Sequence, residues 1–153
     1  MITANQAADA VILLLNTRFG SDPEIRFTAQ RVALVRFDAS ELDDLTVSVI
    51  PRSSDSEYLT RGSLARELGV DVAVQKRLGQ VVSPVTEIDY LTAAAETVRE
   101  YLMSPAASTL SALGDVRLVS AKIDPLYYQE HLLEKGVFTS VIQLSYQYAE
   151  ALP

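Results

Sequence analysis

Apolar and polar residues alternate cleanly at two places in the middle of the chain. Leu45, Val47 and Val49 recur with Thr46, Ser48 and Ile50 between them. Val70, Val72, Val74 and Leu78 recur with Asp71, Gln75 and Arg77 opposite. A period of two marks a strand with one buried face. Residues 52–65 have no such period and carry Arg52, Ser53, Ser54, Asp55, Ser56, Glu57, Arg61 and Gly62. The pattern predicts two strands joined by a long polar arm. Connections of that length are uncommon inside a compact domain, and those that occur are mostly functional or disordered.

Around this pair the periodicity predicts further elements. Thr3 and Gln6 form a capping box, so a helix is expected from Ala4, with Ala7, Ala8, Val11, Ile12, Leu14 and Leu15 on its apolar face and Gly20 as its C′ residue. Residues 25–38 predict a strand in which Ala33, Val35 and Phe37 alternate with Val32, Leu34 and Arg36; both faces are apolar at 32–35, as in a central strand. Residues 40–44 read as an acidic connection. Ser83-Pro84 is a cap followed by a first-turn proline. The helix it opens carries Ile88, Leu91, Ala95, Val98 and Leu102 at helical spacing. Residues 116–123 predict a strand stopped by Asp124-Pro125. Residues 126–135 predict one or two helical turns closed by Gly136, and residues 137–148 a last strand.

The expected fold is therefore α+β, a single domain over residues 1–153. A mainly antiparallel or mixed sheet of about five strands carries two main helices on one face. The element order is α-β-β-β-α-β-β, with an arm protruding at 52–65 between the second and third strands. The other sheet face combines Thr46, Ser48, Asp71, Gln75, Thr139 and Gln143 with Ile50, Val119, Ile123 and Val141. That is too apolar for full exposure, so the arm or a neighbouring subunit is expected to cover it.

Composition narrows the chemistry. A net charge of −7 and a pI near 4.6 speak against a nucleic-acid-binding groove as the main function. The chain has no cysteine, which removes disulfides, thiolate nucleophiles and zinc–thiolate sites. Its one histidine removes any site built from several. Residues 1–20 lack the basic start of a signal peptide, and the apolar run 11–15 is too short to span a bilayer, so a soluble protein made in the cytoplasm is expected.

Candidate catalytic groups each have a plainer reading beside them. His131 lies near Asp124, Glu130 and Glu134, yet a lone histidine on a short polar helix is commonly a surface or capping residue. Ser53-Ser54-Asp55 has no nucleophile elbow around it. Glu41, Asp43 and Asp44 fit a solvated turn much better than a magnesium site, and the isolated glycines form no phosphate-cradling loop. No catalytic, cofactor or metal residue is assigned. The tyrosines are more informative, because tyrosine offers large area with one polar tip and is favoured at protein interfaces. Tyr58 stands out as an aromatic in an otherwise polar arm. The expected protein-interface set is Arg52, Asp55, Glu57, Tyr58, Arg61, Tyr127, Tyr128, Tyr146 and Tyr148.

Four stretches carry a resemblance: LTVSVIPRS at 45–53, VDVAVQKRLG at 70–79, EIDYL at 87–91, and DPLYYQEHLLEKGVFTSVIQLSY at 124–146. In order and spacing they resemble the small tail-terminator and tail-completion proteins of long-tailed bacteriophages. The resemblance covers most of the chain past residue 27 and includes no catalytic signature. It implies a non-enzymatic virion structural protein, made in the host cytoplasm and placed in the tail or neck. Such a protein forms a ring, commonly a hexamer, at the head-proximal end of the tail tube. It stops tube polymerisation and joins the tube protein to the head-completion or neck protein, and genome DNA passes through its lumen. The arm would then be disordered alone and ordered by gripping a neighbour, and acidic lumen walls would let DNA slide. A head-closure or other neck component is the alternative of the same class. A small cytosolic enzyme or ligand-binding domain using Asp124, Glu130 and His131 is the alternative of another class.

Overall fold

A computed structural model describes residues 1–35, 42–78 and 84–152. Helix α1 (Ala4–Phe19) opens on the expected capping box: Thr3 Oγ1 accepts the Gln6 N–H at 3.1 Å, and Gln6 Oε1 accepts the Thr3 N–H at 2.8 Å. Gly20 is not the left-handed C′ residue expected. It stays right-handed (φ −61°, ψ −23°) and donates to the Asn16 carbonyl. The chain is turned instead by Asp22, whose carboxylate accepts the N–H groups of Glu24 and Ile25.

The five strands are β1 (Ala29–Arg31), β2 (Thr46–Thr60), β3 (Ser63–Arg77), β4 (Arg117–Ile123) and β5 (Val137–Ala151). Helix α2 (Pro84–Met103) follows β3, and a third helix, α3 (Gln129–Lys135), separates β4 from β5. The sheet is mixed, in the order β1-β2-β3-β5-β4, with only β1 and β2 parallel. Helix α1 lies against β1, β2 and β3, and α2 against β5 and β4. Both press on one sheet face, where Val47, Val49, Val70, Val72, Val74, Ile142 and Leu144 meet Val11, Leu15, Ala95, Val98 and Leu102. Each such side chain contributes roughly 1.5–3 kcal/mol by leaving water. Phe19 joins the layers, stacked on Phe27 at 5.1 Å and edge-on to Tyr101 at 5.6 Å.

The structure departs from expectation at four places. There are three helices rather than two. The third forms over seven residues because Gly136 takes the left-handed conformation (φ 63°) and returns its N–H to the last turn. The first strand is not a central one at 32–35 but three residues, Ala29–Arg31, at the sheet edge, and Leu34 is 79% exposed. Ile123 does not share the far face with Val119. A register shift between Leu118 and Ser120 turns Leu118, Ala121 and Ile123 toward the core. Most consequentially, the polar arm is not a loop: β2 and β3 run on through it to a turn at Arg61-Gly62. The alternation expected for Phe37, the acidic Glu41 and the Ser83 cap lie outside the described residues.

Candidate functional site

Past Pro51 and before Leu68, the sheet continues beyond its helical cover as a wing. It has three strands, because β5 follows β3 without a register break from Arg77↔Val137 to Ser63↔Ala151. Fifteen residues per strand give a span of about 50 Å, more than half of it in the wing on β2. The backbone ladder explains why a polar sequence stays extended. Every residue of β3 here has a strand on each side, so its N–H and C=O groups are met without a buried side chain. Among the described residues β1 meets β2 only at Val47–Val49, so the outer edge of β2 is open along the wing. An open edge is also where Pro51, which lacks an N–H, is tolerated.

A bulge at Arg52 sets the geometry. The register slips between Pro51 and Ser53, and the slip exchanges the two faces of β2. Beyond it Ser54, Ser56 and Tyr58 share the helix-side face with Leu64, Arg66, Leu68 and Tyr148. Ser53, Asp55 and Glu57 share the far face with Ala65, Glu67, Gly69, Gln147 and Ala149. Arg52 lies flat across the far face. Its guanidinium pairs with Asp71 and donates to the Leu144 carbonyl at 3.1 Å, reaching from β2 over β3 to β5. Gly69 leaves the room: a Cβ there would stand 2.6 Å from Arg52 Nη2 and also meet the Ser53 hydroxyl.

On the helix side the wing is tied down along its middle and outer half. Arg66 pairs with Glu150 at 2.5 Å and donates to Ser56 at 2.9 Å. The Tyr148 hydroxyl accepts the Ile2 N–H at 2.8 Å and donates to the Ile2 carbonyl at 3.1 Å. Hydrogen bonding from Arg66, and then from the terminal ammonium, holds the Glu150 carboxyl below the usual carboxylate range. The far side is bare by contrast. Asp55 stands directly opposite Glu67, and Glu57 opposite Ala65. These residues line one hollow of about 330 Å³. A second, of about 350 Å³, shares Ala65 and Gln147 with it and runs between Leu59 and Val119 over Ala149. At the tip Tyr58 is 74% and Leu59 58% exposed.

The structure brings together Arg52, Asp55, Glu57, Tyr58 and Arg61 on this wing and separates the other four tyrosines from them. Tyr127 and Tyr128 lie at the opposite end of β5, beside Phe138 at 5.8 Å and His131 at 5.3 Å. Tyr148 is half-buried in its bonds to Ile2. Tyr146 is fully buried and presents no surface. Burial pushes its hydroxyl well above the usual tyrosine value, and among the described residues the oxygen has no hydrogen-bond partner. Ser53 and Ser54 are paired strand residues, Asp124 pairs with Lys122 at 3.5 Å, and Asp43 pairs with Arg77 at 2.5 Å. Among the described residues no three His, Asp or Glu side chains converge as metal ligands. No described helix is long and apolar enough to cross a membrane.

Sequence reasoning missed Leu59, Glu67, Val119 and Ala149 as parts of the wing surface. Leu64, Arg66 and Leu68 alternate with Ala65, Glu67 and Gly69 directly before Val70. That period of two is a signal that could have extended β3 outward. Compared with protein-family models and with curated proteins, the chain matches none.

Proposed function

We propose that this chain is a virion structural protein of the tail-terminator kind, whose copies close into a ring through the wing. In this reading the ring, a hexamer, caps the head-proximal end of the tail tube. It stops tube growth and meets a head-completion or neck protein on its other side, while the genome passes through the lumen. The observation that carries the reading is the wing itself. Three strands extend past the helices, with β2 exposed from Ser54 to Thr60 and β3 half-buried, while offering an open β2 edge and the apolar tip of Tyr58 and Leu59. An unpaired edge with exposed aromatic area is a template for another chain. The order of the wing replaces the disordered arm in this argument, and it strengthens the case. A preformed strand loses less entropy on docking than a loop does.

The test is to shorten the wing without touching the sheet beneath the helices. Ser54 and Leu68 are paired, so an Asn-Gly turn can replace the residues between them. The shortened chain is expected to stay folded, within about 2 kcal/mol of the parent, because the removed side chains are exposed or half-buried. It is expected to lose the ring in negative-stain images and to stop capping tail tubes in vitro. Normal rings and normal capping by the shortened chain would overturn the reading.

A further inference from the structure

On β2 and β3 the far face of the wing is acidic, and its carboxylates are left unpaired among the described residues. Asp55 and Glu67 stand opposite each other in register, and Glu57 is one step along the same face. Like charges directly opposite on a sheet repel. Among the described residues none of the three has an ion-pair partner; Glu67 takes only an amide N–H from Gln147 at 3.2 Å. Beside them the floor is made of Ala65 and Ala149, small enough to let another surface approach closely, with Leu59 and Val119 as apolar walls. The cation lining this trough, Arg117, is already paired with Asp115 at 2.7 Å. The surface therefore calls for a cationic partner with a protruding apolar side chain.

The chain itself presents one. At the β1 margin Arg26 and Arg31 are both exposed, and Leu34, three residues past Arg31, is 79% exposed. Among the described residues Arg26 has no carboxylate partner, and Arg31 meets only the exposed Asp9 at 3.2 Å. A net charge of −7 works against general self-association, so a contact between copies has to match acid with one of the few basic patches. We infer that the far face of the wing seats the β1 margin of a second copy of this chain, with Asp55, Glu57 and Glu67 receiving Arg26 and Arg31, and the alanine-floored trough receiving Leu34. The two surfaces differ, so the contact is heterologous and repeats from copy to copy. Such a contact generates a ring where the rotation closes. This deepens the ring reading above and rests on it.

Charge exchange tests the inference on the full-length chain, with association followed by light scattering on a sizing column. Arg26→Glu with Arg31→Glu, or Asp55→Lys with Glu57→Lys, is expected to weaken association about tenfold or more, and combining the two sets to recover most of it. All four side chains are exposed, so circular dichroism of each variant is expected to match the parent. Ala149→Trp, at an exposed strand position that favours aromatics, is expected to fill the trough and abolish association without changing any charge. A parent chain that associates while ignoring all of these substitutions overturns this inference and leaves the ring reading standing. So does loss of association in both charge variants with no recovery on combining them. A parent that stays monomeric overturns both.

Discussion

The same three strands are a core at one end and a wing at the other. In the base, Val70, Val72 and Val74 of β3 are buried between α1 and the sheet. In the wing, Leu64 and Arg66 continue the same face of the same strand with no helix above them, and only Leu68 at the junction is buried. The backbone does not register the change: pairing with β5 runs unbroken across it. What differs is what the side chains are for. In the base they exclude water and stabilise the domain. In the wing the backbone ladder runs on with a few side-chain ties on the helix side, and the β2 side chains stand in solvent.

The sharpest way to break that comparison is to place the same substitution at both ends. Val72→Asp puts an unpaired carboxylate under α1 and is expected to cost about 4 kcal/mol or more, enough to unfold a domain of ordinary stability. Tyr58→Asp at the wing tip is expected to change stability by no more than about 0.5 kcal/mol. Urea denaturation of the two variants measures both. Equal losses would mean that the wing contributes to the fold of its own chain.

The next effect lies at the junction. Gly69→Ala is expected to cost about 1–3 kcal/mol, because its Cβ displaces the Arg52 guanidinium from Asp71 and Leu144. Arg52→Ala removes one of the two obstacles, leaving the Ser53 hydroxyl, as well as the bonds. The double variant Arg52→Ala/Gly69→Ala should therefore be more stable than the sum of the singles allows, by an interaction term of about 1 kcal/mol in a double-mutant cycle. Simple additivity would show that Arg52 does not lie across Gly69 in solution.

This junction also marks where the sequence stopped being legible. The base could be read because its strands alternate against a buried face: Val47, Val49, Val72 and Ile142 declare their direction. The same holds for α1, where Thr3 and Gln6 fix the start, and for α2, where Leu91, Val98 and Leu102 fix the buried stripe. The wing could not be read that way. Neither face is buried, so Ser53 to Thr60 carry no period, and the bulge at Arg52 reverses the phase where the strand would be tracked. The long strand exists because β3 has neighbours on both sides, a fact of pairing that no single stretch of sequence contains. The same reason hid the far-face site: Asp55 and Glu67 are twelve positions apart in sequence and opposite in the sheet. Tyr146 misled in the other direction. Its residue type points to an interface, but it stands on the strand face it shares with Ile142 and Leu144, and that face is the core.

Tyr146 yields a smaller effect of opposite sign. Its ring packs in the core beside Leu68 and Leu118, while its hydroxyl is buried with no partner. Tyr146→Phe keeps the packing and removes the unsatisfied oxygen, so it is expected to raise stability by about 1 kcal/mol. A loss of similar size in thermal or urea unfolding would show that the hydroxyl has a bonded partner, most simply a water.

The smallest expected effect compares the two ends through their carboxylates. Asp22, at the end of α1, is lowered from 3.8 to about 2 by the Ile25 N–H, then Arg18 and the Glu24 N–H. Glu150, toward the outer end of the wing, is lowered by Arg66 and the terminal ammonium. A carboxylate with a depressed folded-state value stabilises above its unfolded-state value and loses that contribution as the pH falls through the folded one. For Asp22 the contribution is complete above about pH 4 and disappears toward pH 2. Asp22→Asn should therefore flatten this part of the stability-against-pH curve, while leaving neutral-pH association unchanged. Glu150→Gln should release Arg66 and loosen the outer half of the wing, seen as faster amide exchange at Ser56 and Arg66 with little change at Val72. Carboxyl carbon shifts followed through the acid titration separate the two groups. If Asp22 titrates at its ordinary value, the turn after α1 is not held by its carboxylate. If Glu150→Gln leaves exchange in the wing unchanged, the wing holds its shape by the backbone ladder alone.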